Sequence, residues 1–289
     1  NCDVFYFNAS DKIEFYTAGA ANLYLVTSQV FRDPSAWYHI VAVYDSTQAT
    51  ASNRASLYVN GVKVTAFSTA SYPAQNTPTT GFNANGVRQV VGGASTASPP
   101  NLLFDGYMAE INFIDGQALT PSSFGETNST TGTWVPKQYS GTYGTNGYYL
   151  KFNNGTSTTT LGYDASGNGN NWTTNNISLT SGATYDWMLD SPTPVSSTVG
   201  NYCTLNPLYM VSPVFLGSGY STLSNANLTS VGNNTTSAGT FGVSSGKWYF
   251  EIVRTAGNTA DTNGVGFYLS GSNIEAIYRD NGDFRYSGT

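Results

Sequence analysis

The residues that could do chemistry are few. One strand-like run carries two acids, Glu110-Ile111-Asn112-Phe113-Ile114-Asp115. Retaining glycoside hydrolysis needs two carboxyls about 5–5.5 Å apart on one face. On a strand, Glu110, Asn112 and Ile114 share a face and Asp115 points to the other. The helper position is an amide and the second acid is misplaced, so no catalytic residue is expected. His39, the sole histidine, sits in a run of Trp, Ile, Val and Tyr with no partner in sight. General acid–base work needs such a partner, so His39 reads as a satisfied, partly buried side chain. Asp164, Ser166, Asn168 and Asn170 place oxygens at alternating positions with Gly169 sixth, a partial echo of a calcium loop. The twelfth position is Asn175 rather than glutamate, which favours a glycine-rich turn closed by Asx hydrogen bonds, with calcium as the alternative. No other cofactor is implied. Trp134, Tyr139, Tyr143 and Trp172 lie in polar loops and are the candidates for stacking on a sugar ring or contacting a receptor, against burial as ordinary packing.

The elements that would carry these residues are strands. Of 289 residues only 10% are charged, net charge is −6, and 14% are aromatic. Eleven cations over this length do not make a nucleic-acid-binding surface. Scarcity of Lys, Glu and Arg argues against a helical protein, and the apolar content argues against disorder. No apolar run approaches the ~20 residues needed to cross a bilayer. Lys12–Tyr16, Asn22–Val26 and Trp37–Tyr44 read as strands, the last apolar on both faces and so central. Leu57–Val59 and Val62–Val64 flank Asn60-Gly61, the signal of a two-residue type I′ hairpin. Tyr107–Ile114, Tyr148–Phe152, Lys247–Val253, Gly264–Leu269, Ile274–Tyr278 and Phe284–Tyr286 are further strands. Thr120 followed by Pro121 predicts one helical turn, and no other helix is expected. Asn153–Thr160 reads as low-complexity loop. Cys2 and Cys203 are read as unlinked thiols. The start without methionine and the end just after a hairpin suggest a piece of a longer polypeptide.

Three motifs occur in order: Trp37-Tyr38-His39-Ile40-Val41-Ala42, Leu57-Tyr58-Val59-Asn60-Gly61 and Phe104-Asp105-Gly106-Tyr107-Met108-Ala109-Glu110-Ile111. Together they resemble the laminin-G/concanavalin A-like jelly roll, over roughly residues 1–125. That resemblance implies a structural histidine at position 39 and an all-β antiparallel sandwich lacking its earliest strands. Glu110 to Asp115 is similar to the carboxylate strand of laminarinase-type glycosidases on the same fold. Ser245 to Ile252 followed by Gly264-Val265-Gly266-Phe267 resembles the opening half of a SPRY domain, a second and incomplete sandwich. The expected organisation is a sandwich over 1–125, an aromatic-pinned connector over 126–199 that packs on a neighbouring domain, with Ser191-Pro192-Thr193-Pro194 as a stiff linker, and the SPRY-like unit over 200–289.

The order of the first module, Thr120–Glu126, Gly141–Gly147, Asp164–Trp172 and Gly200–Pro207 is similar to large structural proteins of marine tailed phages. The resemblance implies a non-enzymatic fibre or spike component on the virion surface. Its partners would be other virion proteins and a host-surface glycan or receptor, and a trimer would be its natural assembly. Neither nucleic acid nor membrane insertion is expected. The alternatives are a secreted, extracellular glycan-active enzyme or bacterial adhesin on the same fold, and, within the first class, a capsid-decorating fibre.

Overall fold

Short runs that alternate apolar and polar side chains build the first part of the chain. In the computed structural model the described residues are 3–17, 19, 22–33, 36–94, 102–129, 132–182, 184–188, 191–192, 203–207, 219–232, 235–242, 247, 249–253, 255, 264–268, 275–279 and 284–287. They fall into two units, 1–177 with 189–201, and 178–188 with 202–289.

In the first unit β1 (Val4–Phe7), β2 (Ile13–Tyr16), β3 (Tyr24–Thr27), β4 (Ile40–Tyr44), β5 (Ala55–Val59), β6 (Val62–Lys63) and β7 (Phe67–Ser71) form two antiparallel sheets, ordered β1-β2-β3-β7 and β4-β5-β6. Period-two alternation sends Ile13, Phe15 and Leu25 inward from the first sheet and Ala55 and Leu57 inward from the second. Ile13, Leu25 and Leu57 are completely buried. Each such side chain contributes about 1.5–3 kcal/mol. Asn60 (φ 48°) and Gly61 (φ 79°) make the expected type I′ turn between β5 and β6. Arg54 pins the loop before β5: its guanidinium donates to the carbonyls of Gln48, Ala49 and Pro73 at 2.8–2.9 Å.

The strand expected over 37–44 begins only at Ile40 and lies at the edge of its sheet, not at the centre. Its second apolar face is explained differently: Val43 faces the segment 118–120, which runs across the outside of the sheet. Of the strand expected over 107–114, only β8 (Ile111–Phe113) forms. Glu110, just before it, has φ 53°, a left-handed conformation that cannot continue a ladder.

Beyond it, Pro121–Ser123 is a single 3-10 turn. Thr120 precedes it in extended conformation, but its hydroxyl pairs with Ser122 Oγ rather than capping the turn. Strands β9 (Gly125–Thr127) and β10 (Trp134–Pro136) form a hairpin, and β11 (Tyr148–Leu150) pairs with β8. The run Asn153–Thr160, read as loop, contains a helical turn, α1 (Thr158–Leu161). The propensity of three threonines is overridden by a capping box: Ser157 Oγ accepts from Thr160 N–H, and Thr160 Oγ1 accepts from Ser157 N–H.

The second unit contains β12 (Gly219–Tyr220), β13 (Thr222–Ser224), β14 (Thr229–Val231), β15 (Thr235–Thr236), β16 (Gly264–Tyr268), β17 (Glu275–Arg279) and β18 (Phe284–Ser287). The last three form an antiparallel sheet in the order of the chain. Of the strand expected over 247–253, Trp248 lies outside the described residues; residues 249–253 have no ladder partner among the described residues, and Tyr249 is 85% exposed. Cys203 is a free, exposed thiol, while Cys2 lies outside the described residues, as do Thr193 and Pro194 of the expected linker. The described chain is an all-β protein with one short helix.

Candidate functional site

The four loop aromatics do not share a surface. Trp134, at the start of β10, lies flat against Gly61 and Gly125, where a methyl group would collide with its ring. Its indole N–H donates to His39 Nδ1 at 3.0 Å. His39 therefore carries its proton on Nε2, and burial pushes its pKa below the usual value. Tyr139 bridges Phe124 and Tyr143, with ring centroids 5.2 and 5.1 Å away. Tyr143 is buried and stacks on Tyr149, while Trp172 covers Tyr148 at 4.9 Å. All four act as mortar between β8, β11 and the β9–β10 hairpin and the sandwich edge.

The carboxylates are likewise held apart. Glu110 Oε1 accepts from the Tyr149 hydroxyl at 3.1 Å, and Asn112 Oδ1 accepts from the Tyr143 hydroxyl at 3.0 Å. Burial, with Glu110 beside it, pushes the Tyr149 phenol far up, and burial raises Tyr143 to about 12. Asp115 belongs to a different network: it accepts from the Asn83 amide at 2.8 Å and from Asn146 N–H at 3.1 Å.

Asp164 is the hub of its loop. One oxygen accepts from Tyr149 N–H and Ser166 N–H, the other from Ser166 Oγ and Asn170 N–H, all at 2.8–2.9 Å. Asn168 and Asn170 turn their amide NH2 groups onto the carbonyls of residues 144, 145 and 147. Burial would raise the Asp164 pKa, but the four donors outweigh it and hold it below the ordinary value. The oxygens proposed for a cation are thus filled by protein donors, and the amides present hydrogens, not oxygens. This is a closed Asx turn that ties the loop to β11. Among the described residues no group of three His, Cys, Asp or Glu side chains could hold a metal.

A different surface has the composition of a ligand site. Register places Tyr6 opposite Glu14, and Tyr16 opposite Tyr24, all on the outer face of the four-stranded sheet. Tyr6 is 43% and Tyr16 37% exposed, whereas Glu14 between them is only 8% exposed. The Tyr6 hydroxyl donates to Glu14 Oε2 and the Asn8 amide to Oε1, each at 2.6 Å. The bond to Glu14, assisted by partial burial, raises the Tyr6 phenol to about 12; the Glu14 charge also raises Tyr24. Tyr16 and Tyr24 meet edge to face at 5.6 Å. Because the Tyr6 proton points at Glu14, its oxygen offers only lone pairs to solvent. The face therefore combines exposed ring surface with oriented acceptors, which suits the C–H faces and hydroxyls of a sugar. Sequence reading passed over it because its residues are spread over three strands; the tyrosines alternating with Glu14 were its only signal.

The first unit is built on two antiparallel sheets, ordered β1-β2-β3-β7 and β4-β5-β6. Residues 3–123 match the family model described as the Concanavalin A-like lectin/glucanases superfamily, so this part of the chain is similar to that family. No curated protein and no solved structure matches the chain.

Proposed function

We propose that the chain is a non-enzymatic, glycan-binding surface protein, a fibre or spike component of a virion that presents β-sandwich modules to a host-surface glycan or receptor. The observation that carries this reading is the open face of Tyr6, Tyr16 and Tyr24 around Glu14. The match of residues 3–123 to a superfamily of lectins and glucanases supports a saccharide as the ligand. The virion setting rests on the order of segments from Thr120 to Pro207. Other virion proteins and further copies of the chain, as a trimer, are the partners in that setting, and multivalency would compensate for shallow individual contacts.

Catalysis is not part of the proposal, because Glu110 and Asp115 are committed to separate hydrogen-bond networks. The second reading, a secreted glucan hydrolase, draws on the same superfamily match. Presenting the full chain to a glycan array and to laminarin-type glucans separates the two. Retention on glycans without release of reducing ends supports the proposal. Hydrolysis that disappears in Glu110→Gln would replace it with the second reading, and no retention on any glycan would remove both.

A further inference from the structure

The opposite sheet carries a second polar feature, independent of the tyrosine face. On β5, Ala55, Leu57 and Val59 point to the core, so Ser56 and Tyr58 point outward. Val43 stands opposite Ser56, and Lys63 opposite Tyr58. Residues 118–120 lie beside them and, with Asp45, Gln48 and Asn53, line an open cleft of about 250 Å³. Ser56 is 8% exposed, yet its hydroxyl makes no hydrogen bond among the described residues. A buried hydroxyl without a partner costs about 1–3 kcal/mol and calls for an explanation. The half-buried Tyr58 and the exposed Asn53 and Lys63 line the same cleft and leave their polar ends open to solvent or a ligand. The wall opposite Lys63 is prearranged. Asp45 accepts from Thr47 N–H, Thr47 Oγ1 and the Gln48 amide, and Arg54 fixes the loop through three carbonyls.

We propose that this cleft binds a single carboxylate-bearing sugar unit, with the carboxylate on Lys63 and ring hydroxyls on Ser56 and Asn53. The volume admits one ring, below the ~300 Å³ at which pockets for larger ligands begin. The cleft is polarised. Lys63 pairs with Tyr58, three residues along β5 from Ala55, the partner of Tyr44 beside Asp45. Three strand residues span about 10 Å. A ring with hydroxyls at one end and a carboxylate at the other matches that separation in sign and length. A neutral sugar would make no use of the Lys63 charge, and a simple anion would leave Ser56 and Asn53 unused.

D-glucuronate and D-glucose titrated into the full chain, followed by backbone amide NMR shifts, test this. Glucuronate is expected to shift the signals of Ser56, Tyr58 and Lys63 and to bind about tenfold more tightly than glucose, the scale of one partly screened charge pair. Lys63→Gln should abolish the preference, and Ser56→Ala should weaken both sugars. Ser56→Ala should also melt no lower than the parent, because it removes an unpaired buried hydroxyl. Unshifted Ser56 and Tyr58 signals, or a glucuronate preference that survives Lys63→Gln, would overturn the proposal. So would a Ser56→Ala variant that melts several degrees lower, since the hydroxyl would then have a structural partner. None of these results bears on the tyrosine face.

Discussion

The docking of the β9–β10 hairpin on the sandwich rests on Trp134, and a double-mutant cycle can measure it. The indole is half-buried between Gly61 and Gly125 and donates to His39. Truncation to alanine removes roughly 100 Å² of buried apolar surface, half of what a tryptophan buries, or about 2.5 kcal/mol. The lost hydrogen bond adds about 1 kcal/mol. For a unit of this size, each kcal/mol lowers the melting temperature by about 2–4 °C, so Trp134→Ala should melt roughly 7–14 °C lower. Gly125→Ala drives a methyl into the indole and should cost about 1–3 kcal/mol as overpacking. In the Trp134→Ala background that obstacle is gone, and the same substitution should be neutral or stabilising by about 0.4 kcal/mol. Gly61→Ala is the control. Its φ of 79° makes it cost about 1–2 kcal/mol even without the indole. Urea melts of the four proteins of the cycle and of Gly61→Ala in both backgrounds supply the numbers. A Gly125→Ala cost that persists unchanged in the Trp134→Ala background would refute the reasoning.

Three further outcomes follow from the same geometry. His39 has a lowered folded-state pKa, so its contribution is complete above the ordinary value of 6.5 and is lost as pH falls through the folded value. Urea midpoints should therefore drop as pH falls below 6.5, and the drop should shrink in His39→Gln. Asp164→Asn exchanges an acceptor for a donor facing N–H and O–H groups and should cost about 2–3 kcal/mol by chemical denaturation. Because the Asp164 pKa is lowered, its stabilisation persists above the ordinary 3.8 and fades only as pH falls below it, while a chelator should leave the melting curve of the parent unchanged.

Local pattern made the strands legible wherever one face is buried. Ile13 to Tyr16 and the Asn60-Gly61 hairpin could be read directly, because alternation and positive φ are properties of the residues themselves. What could not be read was covering by segments distant in sequence. Val43 looked central because it is apolar on a second face, but a loop some 75 positions later, not a strand, provides the cover. The loop aromatics looked like ligands because nothing local to Trp134 announces Gly61 or His39 as its seat. The tyrosine face escaped for the same reason, since pairing register alone brings Tyr6, Glu14, Tyr16 and Tyr24 together.

The central claim is that the tyrosine face binds glycan. Isothermal titration of the parent chain and of Tyr16→Ala with the best ligand from the array tests it most directly. Losing one exposed ring contact worth about 0.5–1.5 kcal/mol should weaken binding by roughly 2- to 13-fold in a chain that stays folded at the assay temperature. Equal affinity in Tyr16→Ala and in Tyr24→Ala would contradict the account and move the binding site elsewhere on the molecule.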